Sequence, residues 1–136
     1  MDLTSLAKAE LHLHLEGAIA PATLTELSSG LSLDEARHYY DFSDFAGFLR
    51  AYKRTHLLLH GPEAFALITR RLIEHLSTQG VTRVEINVSV GVMIWRGFDI
   101  DACFAAIVGA AAGSPFPVRF IFDAVRNFSL DDAWRV

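Results

Sequence analysis

The stretch that most constrains this chain runs over residues 9–19, Ala-Glu-Leu-His-Leu-His-Leu-Glu-Gly-Ala-Ile. Polar and apolar residues alternate with the two-residue period of a β-strand. The alternation predicts Glu10, His12, His14 and Glu16 on one face and Leu11, Leu13 and Leu15 on the other. Imidazoles two positions apart on a strand project side by side, within reach of one metal ion. Zn²⁺ is the expected metal, because it takes neutral imidazole nitrogens at about 2.0–2.1 Å and keeps an open position in catalytic sites. Gly17 ends the strand and lets backbone approach whatever sits at its mouth. An antiparallel strand with one wet face reads the same way, so the pattern admits a solvated pair as well as a metal pair. No His-x-x-Glu-His or Cys-x-x-Cys supplies a second ligand cluster.

The rest of the chain alternates between helical and extended patterns. Pro21 suits a first helical position, and a short helix through about Leu27 is broken by Ser28-Ser29-Gly30. Residues 31–41 show no clear period. Ser43 is expected to cap a helix in which Phe45, Phe48, Leu49 and Tyr52 recur at helical spacing. Core packing is the first explanation of that stripe. His56 and His60 are spaced as two ligands on one helix would be, but have no carboxylate neighbour and read as ordinary helix-end histidines. Gly61-Pro62 opens a helix whose buried stripe is Phe65, Ile68, Leu72 and Leu76, with Gly80 as its C-cap.

Val81 to Val90 predicts a second strand. Val84, Ile86, Val88 and Val90 form its aliphatic face, and Arg83, Glu85, Asn87 and Ser89 its polar face. Trp95 to Asp99 reads as a loop, and Asp99 or Asp101 caps a helix through Ala112. Pro117 to Asp123 reads as a third strand. Ser129-Leu130-Asp131-Asp132 is similar to a capping box with Asp in place of Glu. Three strands, each followed by helix, predict an α/β chain with parallel strands.

The stretch Lys8-Ala9-Glu10-Leu11-His12-Leu13-His14-Leu15-Glu16-Gly17-Ala18-Ile19 resembles the opening motif of the adenosine deaminase family. The resemblance continues more weakly through about residue 130. It implies the N-terminal portion, about three βα units, of a (β/α)₈ TIM barrel of the metallo-dependent hydrolase type. It further implies zinc-dependent hydrolytic deamination of adenosine or a related 6-aminopurine nucleoside, with release of ammonia. His12 and His14 would supply two zinc ligands, and Glu16 and Gly17 would lie at the substrate. The helix carrying Phe45, Phe48 and Leu49 would border the substrate opening, which is the second explanation of that stripe. The family's third His, its Asp, and its proton-moving Glu and His lie in later strands, so no catalytic residue is assigned in this chain.

Two departures bear on the substrate. Many nucleoside-specific members carry Asp where this chain has Glu16; Glu is common in bacterial relatives acting on adenine or on larger 6-aminopurine nucleosides. Many carry Glu-x-Arg-x-Ser-Pro where this chain has Glu85, Asn87, Ser89 and Val90. The alternatives are therefore an adenine or aminodeoxyfutalosine deaminase. An alternative of another class is a non-catalytic fragment that needs a partner chain.

Length and composition sharpen these expectations. A (β/α)₈ barrel takes about 250 residues and rarely fewer than ~200, whereas this chain has 136. Residues 1–136 are therefore read as the N-terminal part of one truncated barrel domain, its remaining strands in the same or a second chain. A net charge of −4 without a basic stripe argues against nucleic acid as a partner. The single cysteine, Cys103, allows no intrachain disulfide and sits in an Ala-rich apolar stretch as a small buried hydrophobe. No apolar run reaches the ~18–20 residues that span a bilayer, and the N-terminus lacks a signal pattern. These features point to a cytoplasmic setting and no membrane partner, and the resemblance implies a small-molecule purine nucleoside or base as ligand.

Overall fold

The computed structural model describes residues 3–125 and 128–136, without the side chain of Asp132. The predicted Ser129–Asp132 capping pair therefore lies outside the described residues. The elements follow in the order β1 (Lys8–His14), α1 (Pro21–Leu27), α2 (Leu33–His38), α3 (Phe45–His56), α4 (Pro62–Ser77), β2 (Val81–Val88), α5 (Val90–Trp95), α6 (Ile100–Ala111), β3 (Val118–Phe122) and α7 (Leu130–Arg135). The three strands form one sheet in the order β1-β2-β3, parallel throughout. Parallel neighbours need crossover connections, and helices supply them.

The core lies between the sheet and helices α4 and α6. Phe65, Ile68, Leu72 and Leu76 recur on one side of α4 and are all buried. They meet a central strand whose Val84, Ile86 and Val88 are fully buried. Cys103 and Ile107 bring α6 into the same cluster, and Cys103 is a free thiol. The predicted stripe of α4, the aliphatic face of β2 from Val84 to Val88 and the buried Cys103 stand as read. Gly80 lies past α4's C-cap, Thr78, rather than at it. Its φ of 72° and its approach to Thr4 explain the glycine: a Cβ there would come within 2.2 Å of the Thr4 carbonyl oxygen.

Four local readings change. α2 occupies residues that show no clear period. It is short, and Ser32 and Glu35 hold its N-terminus in a reciprocal capping box, with both the Ser32 N–H and hydroxyl donating to Glu35. The N-cap of α3 is Asp44 and not Ser43; its carboxylate accepts the Gly47 N–H at 2.6 Å. β2 ends at Val88, and the apolar run from Val90 turns into α5, burying Val90, Met93 and Ile94. A short apolar run without alternation does not distinguish strand from helix.

The fourth change concerns the aromatic stripe of α3. Core packing does not explain it: Phe45 is 72% exposed, Phe48 40% and Leu49 49%. The buried side of α3 is instead Gly47, Ala51, Thr55 and His56. The small residues recur at helical spacing on the covered side, and the large rings of Phe45 and Phe48 lie on the other.

A candidate metal and substrate site at the carboxyl ends of the strands

β1 is not a plain alternating strand. Glu10 pairs with Val84 and Leu13 with Ile86, so three steps on β1 match two on β2 and one extra residue bulges out. His12 takes up the bulge with a φ of 60°, a left-handed conformation that costs a non-glycine residue about 1 kcal/mol. The predicted single face from Glu10 to Glu16 is therefore interrupted between Glu10 and Leu13. The imidazoles of His12 and His14 nevertheless stand together, with ring centroids 5.5 Å apart.

Beyond His14 the chain is fixed to the end of β2. The Leu15 N–H donates to the Asn87 carbonyl at 2.9 Å. Glu16 is only 1% exposed, and its Oε1 accepts the Ser89 N–H at 3.0 Å. Its other oxygen, Oε2, is buried without a hydrogen-bond partner among the described residues. Burial raises the Glu16 carboxyl to about 7; its own and the Ser89 backbone N–H groups oppose the rise, and the charge of Asp123 adds to it. Gly17 is exposed, and a Cβ there would meet the Tyr52 ring at 3.4 Å. A cavity of about 170 Å³ opens beside it, with Tyr40, Phe48 and Tyr52 in its wall.

Three groups that the sequence did not single out for a site join this one. Ser89 Oγ donates to Asp123 Oδ2 and lies near the Tyr52 hydroxyl, each at 3.4 Å. Asp123 follows β3, and its Oδ2 lies 3.8 Å from His14 Nδ1. Burial raises the Asp123 carboxyl above its ordinary range, against the pull of His14 and Ser89. Burial pushes the Tyr52 phenol up to about 12, helped by Glu16 and Asp123, so it stays protonated at neutral pH. The available signal was positional: His14, Ser89 and Asp123 all stand at carboxyl ends of parallel strands, where barrels of this class carry their sites.

The donor set can be tested against a metal. Two adjacent imidazoles, with ring centroids 5.5 Å apart, fit two positions of a zinc shell. Among the described residues, no three His, Cys, Asp or Glu side chains are gathered closely enough to hold a metal by themselves. The pair fits as part of a ligand set, not as the whole of one.

His56 belongs to a different environment. Arg96 donates to its carbonyl at 2.6 Å and lies 3.2 Å from its Nδ1. Burial, reinforced by the Arg96 charge, lowers its imidazole to about 4. The native state thus refuses a proton that the unfolded chain accepts below about 6.5. Stability is expected to fall as pH drops from about 6.5 to about 4, by up to about 3 kcal/mol, and to level off below. Urea midpoints across that range, wild type against His56→Gln, check this; equal slopes in both proteins would contradict it. His60 is exposed and lies outside α3, which ends at His56.

A family model described as adenosine deaminase matches residues 7–127. Adenine deaminase of Crocosphaera subtropica is 30% identical over 115 residues, covering 79% of this chain and 35% of that protein. Aminodeoxyfutalosine deaminase of Streptomyces avermitilis is 30% identical over 142 residues, covering 96% of this chain and 40% of that protein. The chain thus spans well under half the length of these curated relatives. Among solved structures, adenine deaminase from Arthrobacter aurescens superposes with a TM-score of 0.78 at 30% identity, covering 93% of this chain and 42% of that one. An amidohydrolase from Burkholderia ambifaria with bound Zn superposes with a TM-score of 0.80 at 25% identity, covering 96% and 39%. The three parallel strands and their helices are the N-terminal portion of a (β/α)₈ barrel.

Proposed function

The chain belongs to the adenosine deaminase family, and from that premise we propose that the protein deaminates a 6-aminopurine by hydrolysis. The observation that carries this is the side-by-side pair of His12 and His14 at the carboxyl end of β1. In the reaction, water adds at C6, the C6–N bond breaks, the amine leaves as ammonia, and a carbonyl remains at C6. His12 and His14 hold one zinc ion through ring nitrogens, together with ligands outside the set described above. When bound, zinc supplies a Lewis acid that makes water nucleophilic at neutral pH. Glu16 and Gly17 form the substrate side of the site. Gly17 leaves the backbone open to a ligand, and Glu16 offers a carboxylate whose second oxygen has no partner among the described residues.

The substrate is adenosine or a related 6-aminopurine nucleoside. A second reading, adenine or aminodeoxyfutalosine, is favoured by the names of the two 30%-identical relatives and by Glu16 in place of Asp. No helix among the described residues is long and apolar enough to cross a membrane, and we place the reaction in the cytoplasm. β1 and β3 each have one strand edge that pairs with nothing in the three-stranded sheet. We assign their cover to a remaining barrel segment, in the same or a second chain, without which the 136 residues are inactive.

The test compares kcat/KM for adenosine, adenine and aminodeoxyfutalosine in the zinc-loaded protein and its Glu16→Gln variant. The variant is expected to keep its zinc and lose about 10–100-fold in kcat/KM on the preferred substrate, the weight of one charge-assisted hydrogen bond. Loss of zinc with normal kinetics per bound metal would move Glu16 from substrate recognition to metal binding. Ammonia release from none of the three by the protein with its remaining barrel segment in place would overturn the reaction.

A further inference from the structure

We propose that Asp123 is a positioning residue for His14, holding its imidazole with Nδ1 toward β3 and Nε2 toward the metal. The inference rests on the reading of His14 as a ligand and adds the group that aims it. Asp123 Oδ2 lies 3.8 Å from His14 Nδ1. That is longer than a hydrogen bond, and close enough for the charge of the carboxylate to bias which imidazole nitrogen carries the proton.

The placement of Asp123 is built rather than incidental. Its backbone N–H donates to the Val88 carbonyl at 3.2 Å, and its carbonyl accepts the Gly91 N–H at 3.1 Å. Its carboxylate accepts from Ser89 Oγ at 3.4 Å, and the Ser89 N–H is in turn held by Glu16. Gly91 lets the following segment lie close: a Cβ there would come within 2.9 Å of the Val125 nitrogen. The ends of all three strands thus converge on one carboxylate that faces one imidazole nitrogen.

The consequence is a choice of tautomer. A neutral imidazole in water prefers its proton on Nε2. A carboxylate opposite Nδ1 favours the proton there and leaves the Nε2 lone pair free for a metal. The other candidate ligand, His12, is oriented by the bulge in its own backbone. The two imidazoles are therefore set by different means, one by backbone and one by a side chain on the third strand.

Nitrogen NMR of the metal-free protein, above the imidazole titration, reads the tautomer directly. Wild type is expected to carry the His14 proton on Nδ1. Asp123→Ala is expected to return it to Nε2 and to weaken zinc binding, measured by chelator competition, by about 10–100-fold. Asp123→Asn keeps a neutral acceptor at the same place and is expected to retain most of both. Asp123→Leu, which removes the acceptor while filling its space, is the working variant should the alanine protein fold poorly. An unchanged tautomer and unchanged zinc affinity in Asp123→Ala, or in Asp123→Leu in its place, would overturn the inference. The same zinc measurement on His14→Ala separates the two layers: retained zinc there overturns the metal site itself, whereas zinc lost from His14→Ala but bound with wild-type affinity by Asp123→Ala or Asp123→Leu overturns only the role of Asp123.

Discussion

Alanine at His14 is expected to lower kcat/KM for deamination by more than about 100-fold while leaving the fold intact. Loss of a partner behind a metal ligand costs about 10–100-fold in affinity or activity, and loss of the ligand itself costs more. The fold is expected to tolerate the change because His14 is not part of the core. Its side chain is 41% exposed, and the strand is held by backbone pairing of Leu13 with Ile86 and of His14 with Asn87. Substitutions at such positions usually stay within about 0.5 kcal/mol. Urea unfolding of the metal-free proteins separates the two effects. A variant that loses activity only in proportion to its folded fraction would contradict the assignment.

Phe65→Ala is expected to have the opposite profile, with a large loss of stability and no direct effect on metal. Phe65 is fully buried on α4 and meets Phe98 edge to face, with centroids 5.9 Å apart and planes at 83°. Removing a buried Phe costs about 3–5 kcal/mol, from lost burial and from the cavity left behind. Whole domains are stable by only about 5–15 kcal/mol, so the variant sits near the edge of folding. The urea midpoint is expected to drop sharply with the slope unchanged. Leu49→Ala is the control: Leu49 is 49% exposed, and its midpoint is expected to stay within about 0.5 kcal/mol of wild type. Equal midpoints for Phe65→Ala and wild type would show that α4 does not anchor the core.

Much of the fold was legible because its central elements carry strong local patterns. Pro21 marks the start of α1, the stripe from Phe65 to Leu76 marks the buried side of α4, and Val84, Ile86 and Val88 alternate along β2. The misreadings share a cause, which is tertiary context overriding a local pattern. In α3 the aromatic rings suggested the buried side, but Gly47, Ala51 and Thr55 are what the fold covers. In α5 an apolar run read as the end of a strand, and nothing local distinguished the two. α2 spans only six residues, too few for a helical period to emerge.

The candidate site divides along the same line. His12, His14, Glu16 and Gly17 lie within one short stretch, and a motif of that length announces itself. Their partners do not. Ser89 is 73 residues from Glu16 and 34 from Asp123, and only the parallel register of β1, β2 and β3 brings the three together. The bulge at His12 was equally hidden, because an alternating sequence gives no sign that one of its residues will go unpaired.

The central claim is that the imidazole pair on β1 holds the metal. Metal analysis of the purified protein, wild type against the His12→Ala, His14→Ala double variant, tests it most directly. One zinc per site in the wild type and none in the folded double variant is the predicted result. The same zinc content in both would contradict it.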